Sequence, residues 1–146
     1  MQKRIDISGL QTKAIEAMMG LENYVSGSEL PTTLKELIKL RTSMINNCAY
    51  CIQMHTPVAQ KSGIDVQRLM ALAAWQESPL FSDVECAVLA MTDEMTLIAD
   101  QGLPEATYNR CIELLGETAT AQCMMQIVTI NAWNRIAIST KMEHAS

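Results

Sequence analysis

The sequence predicts an all-α fold, and three observations carry that prediction. Glycine and proline cut the chain into helix-length pieces, the apolar residues inside most pieces follow helical spacing, and sustained apolar–polar alternation is missing. A length of 146 residues with 49% hydrophobic content supports one core and is too short for two ordinary ones. The expectation is therefore one helical domain over residues 1–146, built from about six to seven helices.

The first helix is expected from about Gln11 to Tyr24, with Ala14, Ile15, Met18 and Met19 on its apolar side, before the breaker run SGSELP. A second starts in PTTLKELIKLRTSMI, where Thr33 and Glu36 have the spacing of a capping box, and ends near Asn46 or Asn47. The third closes at Gly63 and contains Pro57, which removes a backbone donor and predicts a kink just after His55. Asp65 is the cap candidate for a fourth helix reaching Trp75. Ser82 and Glu85 repeat the capping-box spacing for a fifth, with Gly102 as its stop. Pro104 opens a sixth that ends at Gly116, and the seventh runs from about Thr118 to Ser139. This last helix is apolar on most sides, which predicts burial within the domain or between subunits of a homo-oligomer.

A net charge of −5 and no basic cluster argue against a nucleic-acid partner. The N-terminus has no continuous apolar core of a signal peptide, and no stretch approaches the roughly 20 apolar residues of a membrane span. A cytoplasmic protein without a membrane partner is expected, in a compartment where thiols stay reduced. Five cysteines then do not read as a structural disulfide framework. Eleven methionines against one phenylalanine suit an irregular helical core, with a methionine-lined pocket as the alternative.

The stretch NNCAYCIQMH, residues 46–55, concentrates the chemistry. On a helix Cys48, Cys51 and His55 fall on one face, and an asparagine cap just ahead would place both thiols in the first turn. The positive end of a helix favours thiolate, and His55 can accept or pass on a proton. Buried thiols acting as small apolar groups are one alternative and a metal site is another. Only three ligands are at hand, and a closed zinc site needs four. Glu36 has two readings, a helix cap with Thr33 or a carboxylate that orients and charges His55. Cys86, Cys111 and Cys123 have no cysteine or histidine within helical reach and read as inert core. Asn131, Asn134 and Arg135 share a face of an apolar helix and need partners from another helix end or subunit if buried. His144 falls in a tail expected to be mobile.

Glu36, eleven intervening residues, Cys48-Ala49-Tyr50-Cys51, three more and His55 resemble the E-x(11)-C-x-x-C-x-x-x-H signature of the alkylhydroperoxidase AhpD-like branch of the carboxymuconolactone decarboxylase family. ELIKLRTSMINNCAYCIQMHTPVAQKSG is similar to the central block of that family, with weaker likeness in FSDVECAVLAMTDEMT and INAWNRIAI. The resemblance implies an all-α homotrimer or homohexamer that reduces peroxides by thiol chemistry without a cofactor or metal. It implies Cys51 as the peroxidatic cysteine, Cys48 as the resolving one, and Glu36 with His55 as a proton relay. It implies an external dithiol reductant of lipoyl or thioredoxin-like type. Tyr50 departs from the pattern, since studied members carry a histidine there and a phenol does not accept protons near neutral pH. The decarboxylase members lack the cysteine pair, which makes lyase chemistry the weaker reading. A non-catalytic redox sensor or binding protein that switches an oligomer interface stays open as an alternative.

Overall fold

A computed structural model describes residues 2–144, and among these all regular structure is helical. The order is α1 (Ile7–Leu10), α2 (Thr12–Ser26), α3 (Thr32–Ile45), α4 (Ala49–Lys61), α5 (Val66–Ala71), a 3-10 helix (Leu72–Glu77), α6 (Asp83–Thr96), α7 (Ile98–Gln101) and α8 (Glu105–Thr140). Ser82 and Glu85 form the expected capping box at the start of α6, and Asp65 caps α5 by accepting from the Arg68 amide at 2.9 Å. α8 carries the break expected at Gly116, where φ of 82° and ψ of 173° lie outside what an ordinary residue adopts cheaply. Its two halves therefore correspond to the sixth and seventh pieces of the sequence.

Several expectations need correction. The Thr33–Glu36 capping box does not form: Pro31 is the residue ahead of α3, no side chain caps it, and Thr33 is already inside the helix. Glu36 consequently turns inward and is 3% exposed. The fourth segment does not stay α-helical to Trp75, because the chain tightens into the 3-10 helix with a non-helical Ala74. The fifth ends earlier, at Thr96, with the short α7 between it and Gly102. α1, capped by Asp6, has no counterpart in the sequence reading. α4 runs on through Pro57 to Lys61.

The most enclosed helix is α3, not the apolar last one. It packs against α4, α6 and α8, and its residues from Leu34 to Leu40 are all buried, three charged ones included. Leu34 and Ile38 join Val88, Met91, Ile127 and Ile130 in one apolar cluster, while Leu37 and Leu40 join Ala59, Leu72, Trp75 and Leu89 in another. Lys35 reaches out of this interior by donating to the carbonyls of Ser26 and Ser28 at 2.9 and 2.8 Å. On α6, Asp93 accepts a forked pair from Arg41 at 2.7 and 3.2 Å and a third bond from Trp75 Nε1 at 3.0 Å. That fork ties α3 to α6 and to the 3-10 helix.

The joint between α3 and α4 is fixed to α8 by amides. Asn46, the residue that ends α3, donates to Asn131 Oδ1 and Asn134 Oδ1, both at 3.0 Å, and Asn134 donates to Ser43 Oγ at 3.1 Å. The partners sought for Asn131 and Asn134 thus come from another helix end within the same chain. Arg135 bonds back to Asn131 instead. Asn134 is fully buried, so Asn134→Ala leaves Asn46 and Ser43 short of a partner in a dry site. We predict a loss of about 2–3 kcal/mol in urea denaturation from such orphaned groups.

Candidate active site

The cysteine pair sits where α3 hands over to α4. Asn47 adopts a left-handed conformation with φ of 57°, as asparagine tolerates, and the Cys48 amide then donates to the Ser43 carbonyl at 2.8 Å. This tight reversal makes Cys48 itself the cap of α4, in place of the asparagine expected ahead of it. Its sulfur accepts from the Cys51 amide at 3.4 Å. The two cysteines are paired as a disulfide with Cα atoms 5.4 Å apart, within the ordinary range for such a link. Both are buried, and they pack on Ala137 of α8.

One turn further along α4, His55 Nδ1 lies 3.6 Å from Glu36 Oε2, slightly beyond hydrogen-bond reach. Glu36 Oε2 is buried without another partner, while Oε1 accepts from Lys39 Nζ at 3.1 Å. The structure therefore brings together all four residues singled out in the sequence, Glu36, Cys48, Cys51 and His55. It adds Lys39, whose i+3 spacing from Glu36 was a readable signal for an ion pair. Among the described residues, no three metal-ligating side chains of the histidine, cysteine, aspartate and glutamate set converge.

Burial sets the protonation states. Removal from water lowers the His55 pKa to about 4, with the nearby Lys39 charge acting in the same direction. The imidazole is thus neutral at pH 7 and able to accept a proton. Burial raises the Glu36 carboxyl above its ordinary range, and the attraction of Lys39 opposes that rise without cancelling it. A proton placed on His55 would therefore find a carboxylate of raised basicity close by. Burial pushes Cys123 up to about 12 and raises Cys86 and Cys111 as well, so the three remaining cysteines stay thiols, as their reading as core implied.

Two cavities flank the pair. One of about 290 Å³ is walled by Cys51, Met54 and His55 of α4, Met19 and Glu22 of α2, Lys39 of α3, and Gln126, Ile130 and Trp133 of α8, with Met142 nearby. Met19, Met54 and Met142 make it the methionine-lined pocket that was the alternative reading of this composition. The other, of about 360 Å³, meets Cys48 beside residues 141–144, and Tyr50, Ala137 and Met142 line both cavities. There His144 is not a free tail: its ring meets that of Tyr50 edge-on at 5.7 Å, and its Nδ1 contacts Gln53 Oε1. Trp133 both lines the first cavity and donates to Glu22 Oε2 at 3.1 Å. Glu22, Lys39 and Gln126 are the polar lining residues that reading the sequence missed. A single amide in an apolar helix offers no pattern to find.

The model of the carboxymuconolactone decarboxylase family matches residues 12–94, more than half of the chain, and covers Glu36, both cysteines and His55. The chain belongs to that family. YdfG of Bacillus subtilis, an uncharacterized protein, is 36% identical over 146 residues, covering 100% of this chain and 99% of its own. ATU0492 of Agrobacterium tumefaciens has a crystal structure that superposes with a TM-score of 0.94 at 34% identity, covering 99% of each chain. It is a protein of unknown function with a provisional assignment to the antioxidant defence protein AhpD. The debrominase Bmp8 superposes with a TM-score of 0.82 at 20% identity, over 94% of this chain and 74% of its own, and so shares the fold. Family membership and the AhpD-like fold agree with the resemblance read from the sequence.

A pH dependence of stability follows from His55. Its folded pKa lies below the ordinary 6.5, so as pH falls from about 6.5 to about 4 the unfolded chain takes up a proton that the folded chain does not. Stability should fall across that window and level off below it. Glu36, raised in the folded state, works in the opposite sense above its ordinary 4.5. Urea denaturation at several pH values should show a shallower decline for His55→Gln than for the parent.

Proposed function

We propose that the chain is a thiol-dependent peroxidase that works through Cys51 and Cys48, with His55 and Glu36 as its proton relay. The observation that carries this reading is the buried cysteine pair whose second member opens on a cavity shared with a neutral imidazole, itself backed by a carboxylate. Burial alone would hold Cys51 as an unreactive thiol, so a base beside it is what makes the site chemically competent. His55 takes the thiol proton, and Glu36 stabilises the imidazolium that results.

The Cys51 thiolate attacks the terminal oxygen of a peroxide R–O–O–H. The O–O bond breaks, an S–OH group forms on Cys51, and RO⁻ leaves and takes up the proton held on His55 as R–OH. The Cys48 thiol then attacks the Cys51 sulfur, forming the disulfide and releasing water. An external dithiol restores the pair: one thiolate attacks Cys48 from the second cavity, Cys51 leaves and is protonated, and the second thiol resolves the mixed disulfide. Cys48 suits this step because a thiolate at the cap of α4 is favoured by the helix dipole. The two cavities give oxidant and reductant separate approaches, one to Cys51 and one to Cys48. A protein that only sensed oxidation once would have no use for a substrate-sized cavity at Cys51.

Steady-state consumption of an organic hydroperoxide with excess dihydrolipoamide or reduced thioredoxin tests the reading. Many equivalents should be consumed per chain, with turnover abolished in Cys51→Ser and Cys48→Ser. One equivalent per chain and no more would identify a sensor. Glu36→Gln and His55→Gln should each lower the rate by about 10²–10⁴-fold, the usual share of a general base. The double variant should be little worse than either alone, since members of one relay lose function non-additively.

A further inference from the structure

Gln126 is 1% exposed, and neither polar atom of its side chain has a hydrogen-bond partner. A buried carboxamide without partners costs stability, and among the described residues Gln126 alone has two buried side-chain polar atoms unpaired, so its presence needs a reason. It lies on the wall of the cavity that holds Cys51. Along α8 the lining residues Gln126, Ile130, Trp133 and Ala137 fall at i, i+4, i+7 and i+11, which is one stripe of the helix. That stripe is about 16 Å long at 1.5 Å per residue. Cys51 packs against Ala137 at one end, and Gln126 stands at the other.

The cavity between them is apolar, with Ile130, Trp133, Met19 and Met54 in its wall. Lys39 is already paired with Glu36, and Glu22, bonded to the neutral indole N–H of Trp133, would repel an anion, so an anionic ligand would meet no free counter-charge. A volume of about 290 Å³ suits on the order of ten heavy atoms, far more than hydrogen peroxide needs. Ten heavy atoms in an extended chain span roughly 11–12 Å, most of the length of that stripe. The last torsion of glutamine is soft, so the amide can turn to a ligand at little cost.

We propose that this cavity binds an elongated, neutral organic hydroperoxide, with its –OOH group at Cys51, its apolar chain along α8, and a hydroxyl or carbonyl group at the far end held by Gln126. The inference rests on the peroxidase reading for the chemistry at Cys51, but the subsite at Gln126 stands on its own geometry. The redox step is the one given above, with the far-end group unchanged by it.

Binding of 1,8-octanediol and of decane, each of ten heavy atoms, separates the two. Both can be followed by the emission of Trp133 in the disulfide form of the protein, with no turnover required. Gln126→Leu should weaken the diol about tenfold, the loss of roughly one good hydrogen bond, and leave decane, which has no hydroxyl, unchanged or tighter. The same variant should melt no lower than the parent, since it removes an unpaired amide. With the reduced protein, oxidation by 8-hydroxyoctyl hydroperoxide should slow about tenfold in Gln126→Leu while oxidation by hydrogen peroxide does not change. Equal effects on both probes, no binding of the diol by the parent, or a variant that differs only in a lost internal water would overturn the subsite. A diol effect in a protein that reduces no peroxide would uphold the subsite and sink the peroxidase reading.

Discussion

A carboxylate buried at the centre of a helical protein is the constraint on which this structure turns. Glu36 has one oxygen satisfied by Lys39 and the other held near the His55 ring with nothing else to bond. Such a group is costly unless charge and hydrogen bonds are arranged around it. The surrounding structure supplies that arrangement: α3 is enclosed by three other helices, and the α3–α4 reversal lays His55 across the carboxylate. Asparagines from α8 hold the reversal in place. The same reversal puts Cys48 at the cap of α4 and Cys51 one turn from His55, so the local fold and the proposed chemistry share a single cause.

The electrostatics then follow from burial more than from contact. Desolvation lowers His55 and raises Glu36, so the imidazole loses basicity and the carboxyl gains it relative to water. A proton taken up by His55 is thereby drawn on toward Glu36. The ammonium of Lys39 limits the rise at Glu36 and discourages a cation at His55, so it tunes both members at once.

Much of this was legible in the sequence, and two matched cases show where legibility ends. Ser82 and Glu85, and Thr33 and Glu36, have identical spacing, yet only the first pair caps a helix. The difference is Pro31, which stands directly ahead of α3 and shifts Thr33 into the first turn, so that Glu36 rotates from the helix end into the core. A two-residue shift in the start of a helix exchanged a cap for a site residue. The burial of α3 was hidden by its charges, because Lys35 reads as a solvent residue until its head group is seen bonding the Ser26 and Ser28 carbonyls. The last helix divides its apolar surface: one part joins the core and a cavity wall, while Val128 and Ile138 are exposed on the chain alone. The cysteine spacing and His55 were readable because i, i+3 and i+7 positions must share a face of a helix. The role of Gln126 depends on what lies opposite it, which no local pattern records.

The proposed chemistry requires Glu36 and His55 to act on Cys51 and not merely on the fold. The rate of alkylation of the reduced pair by iodoacetamide, measured from pH 5 to 10, reads that dependence directly. The parent should show a reactive thiol titrating well below the ordinary value of about 8.5, and Glu36→Gln and His55→Gln should each move that titration upward while the protein stays folded. Identical profiles in parent and both variants would contradict the account, leaving the helix end alone to activate the cysteines.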